Sequence, residues 1–459
     1  MASTTTLTKR ASDKRPKVTF MNVGCKLNQH ELEALKNGFA RSGYNIATSD
    51  ENADICVVNT CTVTGSGDAD SRKAVRRAIR KNPAATVVAT GCYAQRSPQD
   101  MTDSGASLVI GNDRKSDLIE LVENHLSGTK EQKQVGEFSS LNSRKQPFGQ
   151  FLEIVGSVPD GRTRATLKIQ DGCDEHCTYC IIPKVRGQGI SRSADEVIRQ
   201  AEMMVQSGYQ EIALTGVHSG SYGYDNGQTQ ALVALLQRLD NIEGLAHIRL
   251  NSIEPGYVSE ELIEHAASSE KFCRHFHIPL QSGDNEILKR MGRRYQNADY
   301  AAIIDRIYTS IPNCCLGTDV MVGFPGEKRP HFDNTYQLLS DLPMTYLHVF
   351  PYSLRTGTPA EHLPEHLDHR EKRERTNQLT QLSKEKRIAF HRQFVGHRVF
   401  PLVEDRFDRC SGLPIGLTDN YLKVIIDTNA PNDADANPGD IVDVKITQAR
   451  EETVFGSLS

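Results

Sequence analysis

Three cysteines crowd into DGCDEHCTYCIIP, residues 171–183, where Cys173, Cys177 and Cys180 stand at C-x3-C-x2-C spacing. Three thiolates so spaced can hold three irons of a [4Fe–4S] cluster and leave the fourth iron open to a small molecule. A zinc site normally takes a fourth Cys or His. His176 lies inside the stretch, so spacing alone leaves that ion open, beside the blander reading of buried structural thiols. The segment follows ATLKIQ, a candidate first strand of a βα series, and active residues gather at the C-terminal ends of such strands. That combination favours the cluster.

Cys25, Cys61 and Cys92 are far apart, with 35 and 30 residues between them, which no short metal motif matches. What they share is context, since each ends an apolar run: FMNVGC, VVNTC and VVATGC. In a parallel sheet the strand C-termini lie along one edge, where ligand sites form. Three such ends could meet at one point. From the residues alone this stands even with buried, unconnected thiols.

The elements that must position these residues alternate. KVTFMNV, ADICVVN and ATVVAT are β-rich runs separated by amphipathic stretches, which predicts an open parallel α/β domain over residues 17–127. Residues 1–16 read as a polar, basic, flexible tail, and 128–165 as a linker. ATLKIQ, EIALTGV, HIRLNSI, HFHIPL, CLGTDVMVGF and YLHVFPY predict six strands of a barrel or partial barrel over 166–390. Short strands joined by Gly, Pro and Asp turns predict a small OB-like β-barrel over 391–459. The fold class is therefore α/β, with a β-barrel appended.

Composition excludes several functions. Among 459 residues the formal net charge is −4, so no generally basic chain coats nucleic acid here, and RNA contact must come from local patches. No run approaches a membrane span, and the polar start lacks the apolar stretch of a secretory signal. The eleven cysteines are then expected in a reducing compartment, the cytoplasm, where metal or redox chemistry is commoner than disulfides. Cys56, Cys273, Cys314, Cys315 and Cys410 read as structural.

C-x3-C-x2-C after the first strand of a partial βα barrel resembles the radical S-adenosylmethionine enzymes. The resemblance implies that the open iron chelates S-adenosylmethionine and that the reduced cluster cleaves it to a 5′-deoxyadenosyl radical. GCKLNQHE, NTCTVT and TGCYAQ are similar to the N-terminal signatures of the methylthiotransferase family. There an auxiliary [4Fe–4S] cluster is implied on Cys25, Cys61 and Cys92, and a C-terminal TRAM domain where the small barrel is expected.

Within that family KIQDGCDEHCTYCIIP, LTGVHSGSYG, HIPLQSGDNEILKRM and HVFPYSLRTGTPA resemble the branch acting on N6-threonylcarbamoyladenosine at position 37 of tRNA. The isopentenyladenosine branch usually carries GCQMN, and a third branch modifies a ribosomal-protein aspartate. Lys328 and Asn251 depart from common Thr and Ser. A non-catalytic iron–sulfur RNA-binding protein is the alternative from another class. The implied reaction inserts a methylthio group at adenine C2, using two molecules of S-adenosylmethionine. By the same resemblance Tyr179, Thr215, Gly216, Gln281 and Gly323 contact S-adenosylmethionine, although Gly216 and Gly323 also suit plain strand ends. The implied partners are the tRNA anticodon stem-loop and an electron donor such as flavodoxin or ferredoxin, with no DNA and no membrane.

SRKAVRRAIRK, residues 71–81, is the sharpest basic feature, expected on a helix starting about ten residues after Cys61. Arg72, Lys73, Arg76, Arg77, Arg80 and Lys81 put six positive charges in ten residues with no acid among them. Most charge runs are solvated faces. These repel one another unless an anion neutralises them, which favours a phosphate backbone near Cys61. The C-terminal barrel holds seven Lys or Arg against eleven Asp or Glu from His391 onward. Any RNA contact there is expected from a local face, with Tyr421 stacking and Lys423 on a phosphate, although both equally suit ordinary strand residues. HREKRERTNQ and KEKR read as a salt-bridged helix.

Overall fold

The computed structural model describes residues 15–48, 51–128, 151–154, 163–428 and 436–458. Most of the expected tail and linker lies outside them. Short β-branched runs form β1 (Lys17–Asn22), β3 (Ile55–Thr60) and β4 (Thr86–Gly91), flanked by the minimal β2 (Asn45–Ile46) and β5 (Leu108–Ile110). All pair in parallel in the order β2-β1-β3-β4-β5. The edge strands are too short to show a period, and the sequence reading missed both. Apolar side chains cover both faces, Val57 and Val88 against Leu35 and Phe39 on one, Val58 and Ala89 against Val75 and Ala78 on the other.

Two helices matter for the site, α1 (Lys26–Arg41) and α2 (Gly65–Lys81). GSGDAD, residues 65–70, lies ahead of the helix expected from SRKAVRRAIRK. It is instead the first turn of α2, because the Thr64 hydroxyl accepts the Gly67 N–H (3.1 Å) and caps the helix. The helix thus begins four residues after Cys61, not ten.

The central body has six parallel strands: β6 (Arg164–Lys168), β7 (Glu211–Thr215), β8 (His247–Leu250), β9 (His275–His277), β10 (Cys315–Val322) and β11 (Tyr346–Pro351). They form two three-stranded sheets, β8-β7-β6 and β9-β10-β11. The Cys273 N–H bonds the Ile248 carbonyl at 2.9 Å and joins the two. Leu167, Ile212, Leu214, Ile248 and Leu250 pack outward into the main core, and the alternate positions Lys168, Glu211 and Arg249 turn the other way. Among the described residues β6 and β11 do not pair, so the barrel is open there.

The chain then forms a long helix, α5 (His369–Arg392), which carries the expected ion pairs through Arg375 to Glu371 and Glu327. The last strands are β12 (Arg398–Val399), β13 (Leu402–Phe407), β14 (Pro414–Leu417), β15 (Lys423–Asp427), β16 (Val444–Ala449) and β17 (Val454–Leu458). Their barrel-like sheet runs β12-β16-β17-β15-β14-β13. This body packs on the N-terminal ends of β9 to β11. The Tyr421 ring stacks on His275 at 4.3 Å, and Arg249 lies over its face. Tyr421 is therefore spent on the fold and is not free to stack on RNA. Cys410 sits exposed in a turn rather than in a core.

Arg249 is buried, pairs with Glu211 at 2.7 Å, and donates to the carbonyls of Thr418 and Asp419, both at 3.0 Å. Removing it leaves Glu211 charged in the interior, a loss of about 3–5 kcal/mol. Arg249→Ala should therefore free the C-terminal barrel to proteases, with cuts clustering near 393–400 under limited proteolysis.

Candidate active site

The C-terminal end of β6 leads straight into the cysteine loop. Gly172 turns the chain at φ 71°, and a Cβ there would lie 1.8 Å from the Gln188 carbonyl oxygen. The loop is pinned by Cys173 N–H to Gly187 O (3.1 Å), Thr178 N–H to Met291 O (2.9 Å) and Ala360 N–H to Thr178 O (2.9 Å). Cys173, Cys177 and Cys180 are half-buried, and after burial the neighbouring thiols raise Cys173 (from Cys180 and Cys177) and Cys180 (from Cys177). Burial pushes Cys173 far up and Cys180 up to about 12. Burial also raises Cys177, against the Arg293 guanidinium that donates to its sulfur at 3.2 Å.

The second trio gathers at the matching edge of the N-terminal sheet. Cys25 precedes α1, Cys61 follows β3, and Cys92 opens a short helix, α3 (Cys92–Arg96). Gly24, at φ 103°, lies so close to Cys61 that a Cβ there would be 2.6 Å from its sulfur. Burial first, then the neighbouring Cys92 and Cys25, pushes Cys61 up to about 11. The Cys92 sulfur accepts N–H groups from Arg186 at 3.2 Å and Asn112 at 3.5 Å.

These donor sets suit iron–sulfur clusters better than zinc. Ligands of one tetrahedral zinc lie within about 4 Å of each other. Among the described residues neither trio, with or without His176, forms a group of ligand atoms all within 4.8 Å. Thiols that share one cleft at wider spacing, with Arg293 and Arg186 donating to sulfur, fit thiolates on a larger anionic cluster. Coordination would deprotonate such thiols outright, even those that burial raises.

A buried lattice of charge holds the two edges together. Glu31 on α1 receives Lys115, Lys168 (2.9 Å) and Arg186 (2.8 Å), and Asp171 receives Lys168 (2.6 Å) and Arg186 (3.0 Å). Burial would raise Glu31, but Arg186, Lys115 and Lys168 outweigh it and hold the carboxylate well below its usual range. Arg186 ends α4 (Ile182–Arg186), directly after the C-x3-C-x2-C loop. On the other flank, Arg355, just beyond β11, donates to the Thr62 carbonyl (2.7 Å) and to Asp68 (2.9 Å). The N-terminal body thus closes the gap between β6 and β11, and both trios face the same end of the molecule. Sequence reading missed this lattice. Its signal was charge inside apolar runs, Lys168 in TLKIQ and Arg186 in IIPKVRG.

The residues assigned to S-adenosylmethionine also lie at strand C-terminal ends. Thr215 ends β7, Gly216 packs on Gln170, and Gly323 follows β10 beside Lys372. Tyr179 meets Phe324 edge-on at 6.3 Å. Gln281 holds a left-handed backbone at φ 64°, and its buried Oε1 lacks a hydrogen-bond partner, a strained acceptor of the kind kept at ligand sites. A cavity of about 280 Å³ opens beside Cys177, lined by Glu175, Glu254, Tyr257, Arg293 and Tyr295. None of the five assigned residues lines it.

On α2, Arg76, Arg77 and Arg80 are exposed, and Lys73 pairs with Asp70 at 3.3 Å. Arg72 donates to the Tyr93 hydroxyl, which bonds Asp100, so this residue is engaged by the fold. Lys81 is half-buried at the far end.

Two measurements test this geometry. His30, buried against the Thr166 carbonyl, is held down to about 4 by burial first and Lys168 second. The unfolded chain therefore binds its proton first, and stability falls as pH drops from about 6.5 to about 4. At about 1.4 kcal/mol per unit the loss reaches about 3 kcal/mol, and His30→Gln should flatten that part of a denaturation-against-pH profile. Gly24→Ala should push Cys61 aside and roughly halve the iron bound after anaerobic reconstitution, with the site on Cys173, Cys177 and Cys180 still loaded.

Comparison with known proteins agrees with this architecture. Residues 167–339 match the Radical SAM superfamily, 394–459 the TRAM domain, and 17–111 the uncharacterized protein family UPF0004. The structure of a radical S-adenosylmethionine methyltransferase, TsrM, from Kitasatospora setae shares the fold at TM-score 0.57 and 15% identity, covering 76% of this chain and 77% of that one. The threonylcarbamoyladenosine tRNA methylthiotransferase MtaB of Bacillus subtilis is 38% identical over 436 residues, 94% of each chain. Its counterpart in Aquifex aeolicus is 38% identical over 89% of this chain and 96% of its own. The tRNA-2-methylthio-N(6)-dimethylallyladenosine synthase of Pelotomaculum thermopropionicum is 33% identical over 95% of this chain and 96% of its own. With such identity along nearly its whole length, this chain belongs to the methylthiotransferase family of radical S-adenosylmethionine enzymes.

Proposed function

We propose that this enzyme adds a methylthio group to C2 of N6-threonylcarbamoyladenosine at position 37 of tRNA. The observation that carries the reading is the pair of cysteine trios on one rim, within a chain 38% identical to threonylcarbamoyladenosine methylthiotransferases. Cys173, Cys177 and Cys180 hold the cluster that takes S-adenosylmethionine, and Cys25, Cys61 and Cys92 hold the auxiliary one. When bound, these groups supply a radical able to activate an aromatic C–H bond, and the sulfur and methyl that replace the hydrogen.

The protein's own part is to position and to exclude water. Arg293, paired with Glu254, donates to the Cys177 sulfur and fixes the loop. Gln281 offers its free Oε1 to the ribose, and Thr215, Gly216, Gly323 and Tyr179 shape the remaining wall. The exposed Arg76, Arg77 and Arg80, with Lys73 and Lys81, meet the phosphates of the anticodon stem-loop; Arg72 stays on Tyr93. A flavodoxin- or ferredoxin-like donor supplies electrons. No described helix is long and apolar enough to cross a membrane, and the tRNA substrate puts the enzyme in the cytoplasm.

Mass spectrometry of digested tRNA, from cells lacking other adenosine methylthiotransferases, tests the reading. Expression should produce 2-methylthio-N6-threonylcarbamoyladenosine, and Cys61→Ala or Cys177→Ala should reduce it to background. Methylthiolation of the dimethylallyl nucleoside instead would overturn the acceptor. Unchanged product in Cys177→Ala would overturn the cluster assignment.

A further inference from the structure

Arg186 uses its whole fork. Nε donates to the Cys92 sulfur at 3.2 Å, Nη1 to Glu31 (2.8 Å) and Asp171 (3.0 Å), and Nη2 to Asn28 (2.9 Å) and Glu31 (3.2 Å). The side chain is 2% exposed. It is supplied by α4, six residues after Cys180, yet its Nε–H reaches a cysteine of the other trio.

The charge balance of the lattice gives that contact meaning. Arg186, Lys115 and Lys168 are three buried cations, and Glu31 and Asp171 are the two carboxylates they touch. One positive charge is left over in a place where unpaired charge is costly. The group next to that surplus is the Cys92 sulfur, which is anionic once it is a cluster ligand. Hydrogen bonds and positive charge at ligand sulfurs stabilise the reduced, more negative state of a cluster and raise its potential.

We propose that Arg186 is a positioning residue of the auxiliary cluster, donating to the Cys92 thiolate and raising that cluster's reduction potential. This rests on assigning Cys25, Cys61 and Cys92 to the auxiliary cluster. Arg186 also fixes the register of the cleft, because the helix that follows one trio ends on a ligand of the other. Asn112 also donates to the same sulfur at 3.5 Å and bonds the Val185 carbonyl at 2.9 Å, so residues 185 and 186 are both held at Cys92.

The test is a redox titration of the full-length, anaerobically reconstituted enzyme followed by electron paramagnetic resonance. The signal that changes on adding S-adenosylmethionine identifies the cluster on Cys173, Cys177 and Cys180 and serves as the internal reference. Arg186→Gln should move the other signal to a more negative potential and leave the reference in place. Because that variant strands Glu31 and Asp171, Arg186→Gln with Glu31→Gln removes one charge of each sign and should still move the signal to a more negative potential, by the part owed to the lost Nε–H hydrogen bond. An unchanged potential in a loaded variant would overturn the proposal. So would loss of the second cluster from both variants, which would reduce Arg186 to a packing role. If the parent enzyme itself loads only the reference cluster, the auxiliary assignment falls, and the proposal falls with it.

Discussion

Glu31 is a carboxylate without solvent, and the arrangement of the two cysteine sites depends on what it binds. Lys115 comes from its own domain, whereas Lys168 and Arg186 come from the barrel. Such a lattice adds little net stability, because desolvating five charges costs about as much as their attraction returns. Its effect is on geometry. Any slip of α1 along β6 would leave several charges buried and unmatched, so one docking is allowed and the alternatives are penalised. Apolar packing between the domains would hold them together without fixing them so closely.

Fixed in that way, two parallel sheets present their carboxyl edges to one cleft. A parallel sheet places every strand's C-terminus on one side, so Cys61 and Cys92 emerge together beside Cys25. The barrel does the same for the cysteine loop, Thr215, Gln281 and Gly323. Arg355 and Arg96 clamp the other flank on Asp68. The C-terminal barrel packs at the opposite end, through Tyr421, Asp419 and Arg249. That leaves the cleft free for a large substrate, and the basic α2 beside it.

How much of this was legible in the sequence follows from the range of the signals. The C-x3-C-x2-C trio is a local pattern and the six barrel strands each carry their own apolar run, whereas strand-end context alone left Cys25, Cys61 and Cys92 even with unconnected thiols and only the family resemblance joined them. The start of α2 was misread because one hydroxyl cap outweighed several turn-forming residues, a contest settled by a single hydrogen bond. Tyr421 was misread for a different reason. Exposed tyrosines of small β-barrels suit RNA stacking, and nothing within the barrel's own sequence shows that His275, 146 residues earlier, takes its face. The charge lattice was invisible because its partners lie up to 155 residues apart. Only the oddity of Lys168 and Arg186 within apolar runs pointed to it.

The same lattice links cluster loading to assembly. Burial holds the Cys61 and Cys180 thiols up to about 11 and 12, so a cluster bound there would displace protons. The surplus cation around Arg186 lies against the Cys92 sulfur. On the assignment proposed above, a cluster held by Cys92 would place negative charge where the surplus lies, so binding energy would become docking energy. Because Arg186 directly follows the other cysteine loop in the chain, the ordering of one site is carried to the second through a single short helix. One lattice of charge thus spans both cysteine sites, and the charge of a cofactor bound there would add to what holds the domains in register.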